Sequence, residues 1–177
     1  QAFSVLAAGG KGLMYFQTHE GERETGFAGT WEEIGRVNRD LRAVRELLRE
    51  GDVTELARTE DNAIVALIQA PRALVLVTIG LTTCDAPGDV RCLTEGLFHW
   101  RLIDQLVRVR FPLPSGASVV EAFEVRDEVL LPLWPAARSE SGEVAVDVFL
   151  ANDLSARLFV FAEDTALRGE IEALLTP

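Results

Sequence analysis

Phe16, Gln17, His19 and Glu20 bring an aromatic ring, an amide, an imidazole and a carboxyl together within five residues. An aromatic ring offers an apolar face for stacking, and a primary amide both donates and accepts hydrogen bonds. The blander assignments are also open: Phe16 as core, Gln17 as the end of a strand, and His19-Glu20 as solvated surface in an acidic, glycine-bearing loop. Other chemistries fail on residue supply. The glycines of Gly9-Gly10-Lys11-Gly12 precede an apolar run, whereas a phosphate-binding loop follows one. No Gly-x-Ser-x-Gly elbow exists, and a Ser-His-Asp site would have to use His19 or His99, neither of which has a motif around it, so no catalytic residue is assigned. The two histidines, His19 and His99, stand at no ligand spacing from Cys84 and Cys92, so no metal site and no cofactor is expected.

Cys84 and Cys92 lie eight residues apart with Pro87 and Gly88 between them. Two readings stay open, a local disulfide or two reduced thiols. A disulfide there would stabilise the fold by roughly 2.5 kcal/mol on the chain-entropy estimate and would favour a secreted or periplasmic location, which the sequence otherwise leaves undetermined.

The elements that must position these residues follow from periodicity. Ala2 to Ala8 reads as the tail of a helix closed by Gly9-Gly10. Leu13 to Phe16 is a strand with apolar residues on both faces. After the polar loop from His19 to Gly29, Thr30-Trp31-Glu32-Glu33 forms a capping box. Ile34, Val37, Leu41, Val44 and Leu48 then repeat at helical spacing, with Arg36, Arg39, Asp40, Arg42 and Glu46 assigned to the wet side. Gly51 ends this helix after about twenty residues, roughly 30 Å.

From Asp52 the period changes to two. Strands are expected at Glu55–Thr59, Ala63–Gln69, Ala73–Ile79, Leu106–Pro112, Val119–Val125, Glu128–Leu133, Val144–Leu150 and Arg157–Phe161, separated by turn signals such as Pro114-Ser115-Gly116. Such a series suggests a β-sandwich. A short helix from Thr165 to Leu175 closes the chain, with Leu167, Ile171, Leu174 and Leu175 on one face behind a cap at Asp164. The apolar stretch from Ala63 to Gly80 has the length of a membrane span, but Gln69, Pro71 and Arg72 at its centre argue for two strands joined by a turn.

The chain has 177 residues, 48% of them apolar, enough for one domain or one domain plus part of another. Seventeen basic against 28 acidic residues give a formal charge of -11, which argues against nucleic acid or an anionic membrane as partner. Lys11 is the single lysine.

Gly12-Leu13-Met14-Tyr15-Phe16-Gln17 resembles the final barrel strand of glycoside hydrolases with a (β/α)8 catalytic domain, most nearly the β-galactosidase-like branch. There a glycine-rich turn, an apolar-aromatic run and a Gln precede a loop and the last helix. Thr30-Trp31-Glu32-Glu33-Ile34 with Asn38-Arg39-Asp40-Leu41 looks like that helix. Thr18-His19 departs from the Trp or Arg that many of these enzymes carry after the Phe-Gln pair.

The resemblance implies an α+β protein in two parts: residues 1–51, the last strand-helix unit of a barrel, and residues 52–177, an antiparallel β-sandwich with a short C-terminal helix. Phe16, Gln17, His19 and Glu20 would then face the sugar at the C-terminal ends of the barrel strands. Glycosidic hydrolysis needs two carboxyl groups about 5–5.5 Å apart for retention or about 6.5–9.5 Å for inversion. Proximity of Glu20, Glu22 and Glu24 in sequence does not make such a pair, so the resemblance places the catalytic carboxylates upstream of this chain. The opening at Gln1, in mid-pattern, carries the same expectation of a C-terminal piece. An upstream barrel polypeptide, or another chain, would cover the apolar face of residues 1–51, and carbohydrate is the expected ligand. The alternatives are a non-catalytic β-sandwich for interaction or carbohydrate binding, with Trp100 and Trp134 as its aromatic candidates, and a barrel scaffold without hydrolysis.

Overall fold

A computed structural model describes residues 2–12, 28–84, 100–102, 104–114, 118–133, 142–151 and 156–175. Helix α1 spans Ala2–Ala7, α2 Ala28–Ala43 and α3 Arg45–Glu50. Ten strands follow: β1 Asp52–Thr54, β2 Ala63–Ala70, β3 Ala73–Gly80, β4 Thr82–Cys84, β5 Trp100–Leu102, β6 Gln105–Pro112, β7 Glu121–Arg126, β8 Val129–Pro132, β9 Glu143–Leu150 and β10 Ala156–Ala162. Helix α4, Ala166–Leu175, ends the described chain. The protein is α+β, mostly antiparallel sheet with a few helices, and no sheet closes into a barrel among the described residues.

Six strands form one sheet in the order β1-β2-β3-β10-β7-β8, while β6 pairs with β9 and β4 with β5 as separate two-stranded units. Every pairing is antiparallel. The register aligns Ala66, Val77, Leu158, Val125 and Leu130 across one face of the large sheet, and Leu67, Leu76 and Phe159 across the other. Because side chains alternate along a strand, this register sorts the sheet into two apolar faces. The first face packs under the helices, with Leu6, Leu41, Val44, Leu47, Leu167 and Ile171 in a continuous core. The second packs on the β6–β9 ribbon, whose Val107, Val109, Phe111, Val144, Val146 and Val148 point inward. The layers therefore run helices, six-stranded sheet, ribbon.

The strand reading survives well. The stretch from Ala63 to Gly80 is a hairpin turning at Pro71-Arg72, and no described helix is long and apolar enough to cross a membrane. In β6 the dry face of Val107, Val109 and Phe111 alternates with exposed Arg108 and Arg110. Several expectations are corrected. The strand sought at Glu55–Thr59 lies earlier, at Asp52–Thr54, where the register with Leu67–Gln69 keeps it on the sheet edge; Arg58 makes only an isolated bridge to Arg110. Neither β4 nor its pairing with β5 was anticipated, whereas β5 opens at Trp100, where the His99-Trp100 pair reads as the start of a strand. The helix expected to run from Thr30 to Gly51 begins at Ala28, so Thr30 lies inside its first turn rather than at the cap. It also breaks at Val44, whose backbone leaves helical values (φ -106°, ψ 13°) while its side chain stays 1% exposed in the core. Leu174, expected on the apolar face of α4, is 51% exposed; Leu167, Ile171 and Leu175 are the buried set.

Two glycines are dictated by geometry. Gly9 closes α1 at φ +84°, a conformation most side chains avoid. A Cβ on Gly51 would stand 2.7 Å from the Leu47 carbonyl oxygen and 2.6 Å from Ile68, so only glycine lets the chain pass from α3 into β1 against β2. The switch from helical to alternating period expected at Gly51-Asp52 coincides with this passage. Part of the apolar stripe of α2 and α3 is covered inside the chain, by the sheet; Ile34, Val37 and Leu48 are only half-buried.

Candidate functional site

Phe16, Gln17, His19 and Glu20 lie outside the described residues, as do Glu22, Glu24, Cys92, His99 and Trp134. Cys84 ends β4 opposite Trp100 in register, and its expected partner Cys92 falls in the undescribed stretch. Among the described residues no group of three or more His, Cys, Asp or Glu is placed to hold a metal ion. The described part of the molecule instead contributes three polar clusters and two concavities on the helix layer.

The first cluster joins α2 to the β7–β8 turn. Asp127 and Glu128 form that two-residue turn with φ of +54° and +64°, the left-handed pair that a tight hairpin requires and that side-chain-bearing residues resist. Asp40 offsets the strain: its carboxylate accepts the Asp127 N–H at 3.0 Å and the Glu128 N–H at 2.8 Å. Arg36 pairs with Asp127 at 2.9 Å, and Arg39 with Glu128. Placing Asp40 on the wet side of the helix was an error, since it is 8% exposed. The signal was legible, because Asp40 stands three residues after Val37 and four before Val44, on the apolar stripe itself.

Burial pushes the Asp40 carboxyl above its ordinary value, with Asp127 and Glu128 adding to the rise against the two amide bonds. A carboxyl raised in the folded state contributes stability that is fully present below its unfolded value and is lost as pH rises through its folded value. At neutral pH the two amide bonds are what the carboxylate supplies, so Asp40→Ala should destabilise by about 1–3 kcal/mol through the uncapped turn amides. The gap between wild type and variant should widen as pH falls toward 4. Urea denaturation midpoints at pH 7 and pH 4 check this; a gap that narrows on acidification contradicts the assignment.

The second cluster ties the β2–β3 turn to α4. Arg72 places Nε 3.0 Å from Asp164 Oδ2 and Nη1 2.8 Å from Glu170 Oε2. Asp164 also accepts the Ala166 and Leu167 amides at 3.0 and 2.9 Å, the capping role expected of it. The Arg72 bond, before the amide bonds, holds the Asp164 carboxyl below the usual range, and Arg72 does the same to Glu170. These pairs are half-exposed and act as a fastening.

The third cluster is between sheet and ribbon. Glu124 is 4% exposed, and Arg157 grips it through Nε at 2.8 Å and through Nη2. The remaining Nη1 donates to the Phe149 carbonyl of β9 at 2.9 Å, and the guanidinium lies 5.1 Å from the centre of the Phe159 ring. Alternation puts Glu124 on the polar-reading face of β7, with Ala122 and Arg126; only the ribbon packed on that face makes it interior.

One concavity, about 270 Å³, lies between α3, the β2–β3 turn and α4, with an apolar floor and the Arg72–Glu170 pair at its edge. The other, about 610 Å³, opens between α1 and α2–α3. Leu6, Leu41 and Leu48 line it, and Lys11, Arg42, Arg45 and Arg49 stand around it with Glu46. Its size is that of a ligand site or a docking groove. Among the described residues that line them, neither concavity holds a nucleophile with a base beside it. Comparison of the chain with protein-family models, with curated proteins and with solved structures finds no match.

Proposed function

We propose that this chain is the C-terminal part of a glycoside hydrolase, in which residues 1–51 supply the last strand and helix of a (β/α)8 barrel and residues 52–177 form a β-sandwich accessory domain. The catalytic carboxylates lie upstream, and Phe16, Gln17, His19 and Glu20 meet the sugar at the end of the last strand. The observation that carries the reading is the weld between the two parts: α2 and α3, in the segment resembling the last barrel helix, bury Leu41, Val44 and Leu47 against the same sheet that carries the ribbon on its far side. A barrel end fixed in this way gains a rigid support, which keeps strand-end side chains in register with the reacting bond.

The test is hydrolysis of a panel of nitrophenyl glycosides by the polypeptide that carries this chain together with its barrel. Hydrolysis is expected, and replacement of one carboxylate at an upstream strand end should abolish it. Gln17→Ala should lower kcat/KM about tenfold or more with the fold intact, as the loss of a hydrogen bond to a sugar hydroxyl would. A folded polypeptide that cleaves none of the panel refutes the proposal.

A second reading, a non-catalytic β-sandwich that binds a partner or a carbohydrate, draws on the outer face of the ribbon. There Phe149, 50% exposed, stands opposite Leu106, 59% exposed, next to the Arg108–Asp147 pair. Sugar binding without hydrolysis, lost in Phe149→Ala, would favour it.

A further inference from the structure

The groove between α1 and α2–α3 combines features that the sequence's overall charge does not suggest. In a chain of net charge -11, four of its cations gather around one concavity of about 610 Å³ whose floor is leucine. Local carboxylates balance two of the four, and Lys11 and Arg42 remain without a carboxylate partner among the described residues. Arg45 and Arg49 share Glu46, Arg49 also reaching Glu50 at 2.9 Å. Arg42 is exposed and makes no ion pair with any described residue. Lys11 spends its ammonium on the carbonyls at the end of α3, donating to Leu48 O at 3.0 Å and to Gly51 O. Those acceptors carry only partial charge, so Lys11 keeps most of its unit charge at the rim of the groove. The neighbouring concavity at α4 differs, since Arg72 is already held by Asp164 and Glu170.

Resting on the glycoside hydrolase reading, we infer that this groove receives an amphipathic helix of the upstream barrel, one carrying carboxylates beside its apolar stripe. The floor of Leu6, Leu41 and Leu48 takes the stripe, and Lys11, Arg42 and Arg45 face the acidic flank. Charge complementarity around an apolar centre is how such a surface selects its partner and fixes its register. The three helices that bound the groove all come from residues 1–51, the part whose resemblance to a barrel end implies a missing neighbour.

Lys11 is the single lysine of residues 1–177, which gives the test a defined anchor. Zero-length carbodiimide cross-linking of the full polypeptide joins Lys11 to any carboxylate held against it, and peptide mass spectrometry then locates that carboxylate. The expected product links Lys11 to an Asp or Glu in an upstream segment of helical apolar period. Arg42→Glu with Arg45→Glu should reduce its yield about tenfold, and charge reversal at the linked carboxylate should restore it. Arg42→Gln alone gives a smaller loss if the double variant fails to fold. Lys11 linked only to carboxylates of residues 1–177, or to those of a second copy, overturns the inference. Glycoside hydrolysis measured on the same sample separates the two claims. Hydrolysis without an upstream link removes the groove assignment alone, and an upstream link without hydrolysis removes the enzyme reading alone.

Discussion

Arg157→Met should lower the unfolding free energy by about 3–5 kcal/mol, because it leaves the Glu124 carboxylate buried without its two-bond partner. Glu124 has a side chain 5% exposed and Arg157 one that is 15% exposed, so water can replace little of what is lost. Arg126, whose Nη1 lies 3.7 Å from Glu124, supplies a weaker substitute and places the expectation in the lower half of that range. The variant also loses the bond from Nη1 to the Phe149 carbonyl, which joins the large sheet to the ribbon. In a chain of this length each kcal/mol shifts Tm by about 2–4 °C, so the effect is easily read by thermal or urea unfolding.

The double variant Glu124→Leu with Arg157→Met carries the discriminating power. If desolvation of two charges nearly offsets their attraction, the apolar pair should come within about 1 kcal/mol of wild type, or exceed it. The double-mutant cycle then assigns the cost of the single variant to the stranded charge. A single variant costing less than about 1 kcal/mol would mean that Glu124 is solvated in solution, and that ribbon and sheet are less closely packed at this end than described.

Phe161→Ala should cost a similar amount, about 3–5 kcal/mol, for a different reason. Phe161 on β10 and Phe111 on β6 are 1% and 0% exposed and meet edge to face, with ring centroids 5.2 Å apart and planes at 74°. The pair sits where the six-stranded sheet touches the ribbon, flanked by valines that are stiff at χ1 and cannot swing into the void. Truncating either ring removes its apolar burial and leaves a cavity that the surrounding strands cannot close. Phe111→Ala should cost about as much. The two together should cost less than their sum by about 0.5–1.5 kcal/mol, the part that belongs to the ring contact. Strict additivity would show that the rings do not touch in solution.

How far the sequence could be read varies by element, and the reason is the range of the interactions involved. The β2–β3 hairpin was legible because apolar alternation and a Pro-Arg turn act within a few residues. So were the dry faces of β6 and β9, from Val107-Val109-Phe111 and Val144-Val146-Val148, and the capping role of Asp164. Which strand meets which was not legible. β10 lies between β3 and β7, and β6 pairs with β9 across more than thirty residues of chain, choices that local pattern does not encode. The break at Val44 was missed because a valine at helical spacing looks the same whether the backbone continues or turns. The candidate ligand residues Phe16, Gln17, His19 and Glu20 remain a reading of residue type and resemblance, since they lie outside the described structure.

By itself the sequence determined the acidic surface, the order of helices and short strands, and the faces those strands would bury, since composition and periodicity depend only on neighbours along the chain. The tertiary structure decided which polar residues became interior. Asp40 is buried because a strained turn 87 residues away presents two amides to it. Glu124 is buried because a ribbon folds over its face and Arg157 reaches across to hold it. The cations around the α1–α3 groove likewise became one surface only when Lys11 was brought to the end of α3, 40 residues on, by the packing of α1. Burial and charge clustering are properties of distance in space, and the chain sets those distances only when it folds.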